Sequence, residues 1–152
     1  MRIESLTPET ASTYQHELAQ LYLQNIRACS HLDRFSLDDA RDKIDSLAQH
    51  LAKNTCVAYG AFHEDALCGF VWAYPHRFRE EPRMYVSEIR VAEDWRNRGI
   101  GTQLLECVED KTRELGIGAI YLHAEADNPD AIRLYESIGY RTERLQLRKE
   151  LG

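Results

Sequence analysis

The sequence predicts an α/β (α+β) fold in which helices pack on one sheet. Helical and extended hydrophobic patterns succeed each other in the order β-α-α-β-β-β-α-β-α-β-β. One strand–helix–strand crossover, from Met84 to Ala124, predicts two parallel strands at the centre of that sheet. The chain has 152 residues and no repeat or linker, so we expect residues 1–152 to form a single domain.

The N-terminal third reads as one strand followed by two helices. Residues Met1 to Leu6 alternate apolar and polar side chains, as in an edge strand. Thr7-Pro8-Glu9 supplies a cap, a proline at the first helical position and an acidic first turn, which predicts a helix to about Arg27. After a loop over residues 28–35, the capping box at Ser36 to Asp39 begins a second amphipathic helix.

The middle of the chain is extended. Residues Thr55 to Phe62 and Ala66 to Tyr74 read as a hairpin, and Met84 to Val91 as the next strand. The intervening stretch from Pro75 to Pro82 is polar and contains two prolines, which predicts a loop.

The C-terminal part alternates between helices and strands. Patterns predict helices at 99–115 and from Asn128-Pro129 to Gly139, with a strand between them at Ala119 to Ala124. Residues Tyr140 to Glu143 and Arg144 to Leu151 read as a closing pair of strands.

Charge and composition exclude several classes of function. With 19 basic and 25 acidic residues the net charge is −6, which lacks the basic footprint of a nucleic-acid or anionic-membrane binder. No apolar run approaches the ~18 residues of a membrane span, and the first residues are too polar for a signal peptide. The cysteines and histidines lack metal-site spacing, so we expect a cytoplasmic protein without a metal.

The segment from Val91 to Thr102 carries the clearest chemistry. It follows a strand and begins a helix, where unpaired backbone N–H groups and the helix dipole favour an anion. Gly99 and Gly101 allow close approach of a phosphate, and Arg96 and Arg98 add positive charge. The pattern therefore predicts a pyrophosphate cradle, although it is neither a Walker A motif nor a dinucleotide-binding fingerprint.

Two segments resemble one family. Arg96 to Gly101, with Val91 before it, matches the [Gln/Arg]-x-x-Gly-x-[Gly/Ala] signature of the GCN5-related N-acetyltransferase (GNAT) family. The stretch from Asn128 to Tyr140 is similar to a second segment of that family, in the same order and spacing. The resemblance implies a mixed, mostly antiparallel sheet with a central splayed parallel strand pair and helices on both faces.

The resemblance also implies that acetyl-CoA is the acetyl donor and CoA a product, without a metal. The backbone of Val91 and Glu93 would pair with pantetheine. Asn128 would reach the pantetheine or phosphate arm, although it also fits as the cap before Pro129. The residues implied to hold the pyrophosphate are Arg96, Asn97, Arg98, Gly99, Ile100, Gly101 and Thr102.

Three residues are candidates for catalysis. Tyr135 matches the family's general acid, which protonates the CoA sulfur, although it also fits the apolar stripe of its helix. Glu88, three residues before Val91, is a candidate base or ammonium-holding carboxylate, and the alternative is a structural pair with Arg83 or Arg90. His123 carries an imidazole, a side chain that suits proton relay near neutral pH, and the alternative is a structural histidine.

The implied function is acetyl transfer to a primary amine of a small molecule by direct attack on the thioester. The alternatives are acetylation of a protein amino group and a CoA-binding regulatory module without turnover. The run His123-Ala124-Glu125 departs from the Glu-Val-Arg run of ribosomal-protein acetyltransferases and counts against a protein N-terminus. Residues 30–35 and 74–81 are the candidate substrate-selecting loops, and a homodimer is compatible with such a fold.

Overall fold

The computed structural model describes residues 1–26 and 35–152. Within these residues, five strands and five helices follow the predicted order as far as residue 139, except that two helices replace the predicted first helix. The strands are β1 (Arg2–Ser5), β2 (Val57–His63), β3 (Ala66–Phe78), β4 (Glu81–Val91) and β5 (Ile120–Leu122). The helices are α1 (Pro8–Thr13), α2 (Gln15–Ile26), α3 (Leu37–Ala52), α4 (Ile100–Glu114) and α5 (Pro129–Ser137), and a 3-10 turn spans Glu93–Trp95.

The sheet confirms the predicted fold class. Its strand order is β1-β2-β3-β4-β5, and neighbouring strands are antiparallel except for the parallel β4–β5 pair. The predicted crossover is therefore present. Its position differs from the prediction, because β5 is the outermost strand of the described sheet.

The absence of the predicted closing strands explains this difference. Residues 140–152 have no regular secondary structure, so the prediction of strands at 140–143 and 144–151 is wrong for this structure. Among the described strands, β5 has no neighbour on its outer side. Side chains tie this segment down instead. Glu143 accepts two 2.7 Å hydrogen bonds from Arg83, and the Arg144 guanidinium lies 4.5 Å from the Phe78 ring centroid.

The predicted loop between Pro75 and Pro82 is also wrong, because β3 and β4 continue through it and turn at Arg79 and Glu80. The pairing of β2 with β3 ends at Ala73, so β3 has a free edge at Pro75. Met84 donates its backbone N–H to the carbonyl of Ala119, so the backbone N–H of Met84 points away from β3. By strand alternation the backbone nitrogen of Pro82 also points away from β3. Pro75 is the partner of Met84, so its backbone nitrogen points to the free edge. Neither proline interrupts the ladder between the two strands.

The predicted first helix is divided in two at Tyr14, whose backbone leaves helical geometry. The Thr13 hydroxyl bonds to the carbonyl of Glu9, a contact that bends helices. The bend lets the Tyr14 ring meet Phe62 edge-on at 5.1 Å. The predicted cap at Thr7 and the predicted capping box at Ser36 are both confirmed, and Thr7 also forms a capping box, with Thr10.

The sheet separates two hydrophobic cores. Helices α1 to α3 cover one face, where Leu18, Ile44 and Phe70 are fully buried. Helix α4 covers the other face, where Leu104 and Met84 are fully buried, and α5 packs at the edge of that second core. None of the helices in the described residues is long and apolar enough to cross a membrane.

Gly69 tests how closely β3 and β4 approach each other. A Cβ atom at Gly69 would lie 2.8 Å from the carbonyl oxygen of Arg90, a backbone atom that cannot move aside. We expect Gly69→Ala to lower the free energy of unfolding by about 1–3 kcal/mol, as overpacking does. Gly118→Ala is the matched control, because a Cβ atom there meets nothing within 4 Å. Urea denaturation measures both, and equal stabilities would contradict the close approach.

Candidate active site

The sheet opens between its two parallel strands. Pairing of β4 with β5 begins at Met84 and Ile120 and ends at Val86 and Leu122, whereas β4 continues to Val91. Ala92 donates its N–H to Cys68 in β3, so by alternation Val91 directs its own N–H and carbonyl towards the opening. The Arg96 Nε donates to that carbonyl at 3.2 Å.

A β-bulge in β4 decides which side chains line the opening. Trp72 pairs with Glu88 and Ala73 with Val86, which leaves Ser87 as the extra residue. The Ser87 hydroxyl donates to the carbonyl of Trp72 at 3.3 Å. The bulge reverses the alternation of side chains, because one unpaired residue shifts every later position to the other face.

The bulge places Glu88 on the face covered by α2 and α3, where its partner Trp72 belongs to the first core. Glu88 and Arg90 are ion-paired at 2.6 Å, and each side chain is about one-fifth exposed or less (17% and 20%). Arg90 also lies 5.8 Å from the centroid of Tyr22 in α2. The predicted pairing with Arg90 is therefore present, whereas Arg83 bonds to Glu81 and Glu143.

Electrostatics make Glu88 more basic than an ordinary surface glutamate. Burial raises the pKa of Glu88, while the positive charges of Arg90 and Lys43 oppose that shift. A carboxylate with a raised pKa binds a proton more readily, which is the property a general base near neutral pH requires.

Tyr135 lies in α5 at the edge of the second core, with its ring centroid 6.0 Å from that of Tyr140. Burial raises the pKa of Tyr135, and Arg90 lowers it. The phenol is therefore protonated at neutral pH and available to donate. Arg90 acts electrostatically on both Tyr135 and Glu88, which come from opposite faces of the sheet.

His123 follows β5 and is exposed. Its Nδ1 hydrogen-bonds the hydroxyl of Tyr85 at 3.0 Å. Tyr85 is in β4, before the bulge. The structure therefore links His123 to Tyr85, and a role for His123 in proton transfer stays a prediction.

The cradle has the expected backbone geometry. Gly99 caps α4 with a left-handed φ of 78°, and it has no side chain to accept from the first N–H groups of the helix. The N–H groups of Ile100, Gly101 and Thr102 belong to that first turn. Asn97 is also left-handed, at φ 61°. Glu93 lies in the 3-10 turn that joins Val91 to the cradle.

Arg98 is held beside the cradle by an aromatic stack. Its guanidinium carbon lies 4.8 Å from the ring centroid of Trp95, and that ring lies 4.9 Å from His63. Trp95 thus packs at the edge of the second core.

Asn128 caps α5, and its Oδ1 accepts from the N–H of Ala131 at 3.3 Å. The structural alternative for Asn128 is confirmed, and its contact with a ligand stays a prediction.

The two candidate substrate-selecting loops have different outcomes. Residues 74–81 belong mainly to the β3–β4 hairpin rather than to a loop. Within it, Arg77 is ion-paired with Glu80 at 3.7 Å, as expected for a solvated turn. Of the other loop, residues 30–34 lie outside the described residues.

Sequence reasoning missed Tyr85 and the part played by Ser87. An extra residue in a strand cannot be identified from hydrophobic alternation until the register with the partner strand is known. Within the described part of the chain, no group of three or more His, Cys, Asp or Glu side chains is arranged to hold a metal ion.

The chain is similar in sequence to a protein named as an N-acetyltransferase. The uncharacterized N-acetyltransferase YdgE of Bacillus subtilis is 28% identical over 83 residues, which are 55% of this chain and 53% of that protein. The match thus spans about half the length of that curated relative.

Two solved structures share the fold. One is an aminoglycoside acetyltransferase, meta-AAC0020, from an uncultured soil metagenomic sample (TM-score 0.75, 20% identity, 99% of this chain and 95% of that one covered). Another is a ribosomal-protein-alanine N-acetyltransferase from Brucella melitensis (TM-score 0.73, 24% identity, 99% and 100% covered). The family model described as "Acetyltransferase (GNAT) family" matches residues 16–140, so the chain belongs to the GNAT acetyltransferase family.

Proposed function

We propose that the protein transfers the acetyl group of acetyl-CoA to the primary amine of a small molecule, by direct attack of the amine on the thioester. The observation that carries this proposal is the opening between β4 and β5. It has an anion cradle at the start of α4 and a largely buried carboxylate, Glu88, beside it in β4.

The residues around the opening fit acetyl-CoA. The first turn of α4 directs backbone N–H groups outwards, and a Cβ atom at Gly99 would meet nothing within 4 Å, so the space beside the cradle is open. The residues from Arg96 to Thr102 would hold the pyrophosphate. The outward N–H and carbonyl of Val91, with the backbone of Glu93, would pair with pantetheine, and Asn128 would lie along the same arm. The bound cofactor supplies an activated acetyl group and a thiol leaving group.

Glu88 would prepare the amine. An alkylammonium with a pKa near 10.4 is almost entirely protonated at neutral pH, so a proton must leave before the nitrogen can form a bond to carbon. Glu88 would hold this ammonium and accept its proton directly or through water. Arg90 would keep the carboxylate ionised until then.

Tyr135 would supply the second proton. When the carbon–sulfur bond breaks, the thiolate needs a donor, and the buried phenol of Tyr135 is protonated at neutral pH. An N–H of β4 at the opening would bind the oxyanion, because its orientation is already set by the strand.

Two features support the cellular setting and the choice of acceptor. Cys56, Cys68 and Cys107 are free thiols, as in proteins of a reducing compartment, which supports the cytoplasm. The His123-Ala124-Glu125 run supports a small molecule over a protein N-terminus. Acetylation of protein amino groups and CoA binding without turnover are the alternatives that the experiment below separates.

The test is acetyl transfer to a panel of small amines and peptides, read by mass spectrometry with wild type, Tyr135→Phe and Tyr140→Phe. We expect acetylation of small amines, with kcat about 10²–10⁴-fold lower in Tyr135→Phe, the usual contribution of a general acid. Acetyl-CoA affinity should stay the same.

Tyr140→Phe is the matched control, because the Tyr140 hydroxyl bonds to Glu109 rather than lining the opening. Equal turnover in both variants would remove Tyr135 as the acid. Transfer to peptides alone would favour a protein substrate, and acetyl-CoA binding without transfer would favour a regulatory module.

The pH dependence of kcat/KM tests Glu88. Activity should rise as Glu88 loses its proton, and burial raises the pKa of Glu88, so this limb should lie above the usual range of a glutamate. Arg90→Met removes a charge that lowers this pKa, so the limb should move to higher pH. Glu88→Gln should abolish the limb. Arg113→Met, an exposed position in α4, is the control. The same limb in Glu88→Gln would show that another group titrates.

A further inference from the structure

An aromatic surface extends from the proposed active site along one face of the sheet. It lies on the face that carries α2 and α3, and none of its members belongs to the core beneath those helices. Each side chain is half-buried or exposed. We call it the aromatic wall, and it consists of Tyr74, His76 and Phe78 in β3, Tyr85 in β4, and Tyr121 and His123 in and after β5.

The rings of the wall hold one another in place. Tyr85 and Tyr121 are cross-strand partners, stacked with centroids 4.8 Å apart and planes inclined by 26°. Tyr74 meets Tyr85 edge-on at 5.4 Å. The hydroxyl of Tyr85 is bonded to His123 at 3.0 Å and that of Tyr121 to His76 at 2.8 Å. The wall is therefore a mutually packed aromatic surface in which the hydroxyls of Tyr85 and Tyr121 are already paired.

The wall is continuous with Glu88. Tyr85 precedes the bulge and Glu88 follows it, and the bulge brings both side chains to the same face. At a strand rise of about 3.3 Å per residue, the two positions are separated by at most ~10 Å along β4. The pKa of Tyr85 is raised by burial first, and also by the charges of Tyr74 and Glu88, which agrees with this proximity. An amine held at Glu88 would thus have its substituent against the wall.

The far end of the wall is unfavourable for a second cation. Three guanidinium groups surround the Phe78 ring, with centroid distances of 5.1 Å for Arg79, 4.7 Å for Arg83 and 4.5 Å for Arg144. The carboxylates bonded to this cluster in the described residues are Glu81 and Glu143, and both bind Arg83. Three positive charges face two negative ones, so the end has a net charge of +1.

We propose that the aromatic wall binds the ring of the acetyl acceptor, and that the acceptors are monoamines with an aromatic ring on a short alkyl chain rather than polyamines or aminoglycosides. This inference rests on the proposed function. The ring packs against Tyr85 and Tyr121 while the amine reaches Glu88. At the far end Glu80, Glu81 and Glu143 are already ion-paired with arginines, so a polycation is repelled by the arginine cluster.

The test compares two amines that differ in the ring alone. 2-Phenylethylamine and 2-cyclohexylethylamine share the chain and the charge, and spermidine and kanamycin represent polycations. We expect kcat/KM to be highest for 2-phenylethylamine, and roughly three- to tenfold above the cyclohexyl compound, the size of an aromatic pair contact. Tyr121→Leu should remove this preference. Tyr121→Phe keeps the ring, loses the hydroxyl bond to His76, and should retain the preference.

A measurement of amine binding tests the inference even if no amine is acetylated. In that case the proposed function fails, and calorimetry of the two ring compounds with the CoA-saturated protein still shows whether the wall selects aromatic rings. Tighter binding of 2-phenylethylamine, lost in Tyr121→Leu, supports the wall. Equal binding of the two compounds, binding of neither, or faster acetylation of spermidine or kanamycin overturns it.

Discussion

The early end of the parallel pairing between β4 and β5 is the constraint on which the site depends. Parallel strands that remained paired would use the backbone of Val91 as a ladder residue. Because β5 ends at Leu122, that backbone is directed into a crevice at the carboxyl end of a strand, where open sheets bind their ligands. The start of α4 follows this strand after the 3-10 turn, so in the proposed function one opening holds the sites for both the phosphate and the acyl group.

The bulge at Ser87 gives the opening its two chemically different sides. Glu88 and Arg90 lie on the face of α2 and α3, whereas Tyr135 comes from α5 beside the second core. The proposed base and the proposed acid therefore come from opposite faces. The charge of Arg90 lowers the pKa of both groups. Removal of this one arginine should affect both groups together.

Local features of the sequence predicted the fold class and the start of α4 after Gly99. A glycine with positive φ at a helix start and capping residues such as Ser36 act over one turn, so their effect can be derived from neighbours in the chain. Features that depend on strand neighbours were mispredicted or missed. Pro75 and Pro82 indicated a loop, yet the backbone nitrogens of both point away from the hydrogen bonds between β3 and β4. Similarly, the aromatic wall combines alternate residues of three strands, which become one surface after the register is known.

Acetyl-CoA binding to Gly99→Glu and Gly116→Glu, measured by calorimetry, tests whether the start of α4 holds the cofactor. The two glycines flank α4, both have positive φ (78° and 72°), and a Cβ atom at either meets nothing within 4 Å. The two substitutions thus impose similar backbone strain, whereas Gly99 alone adjoins the cradle. We predict loss of binding in Gly99→Glu and affinity near that of wild type in Gly116→Glu. Wild-type affinity in Gly99→Glu would contradict the assignment of the cradle and of the opening beside it.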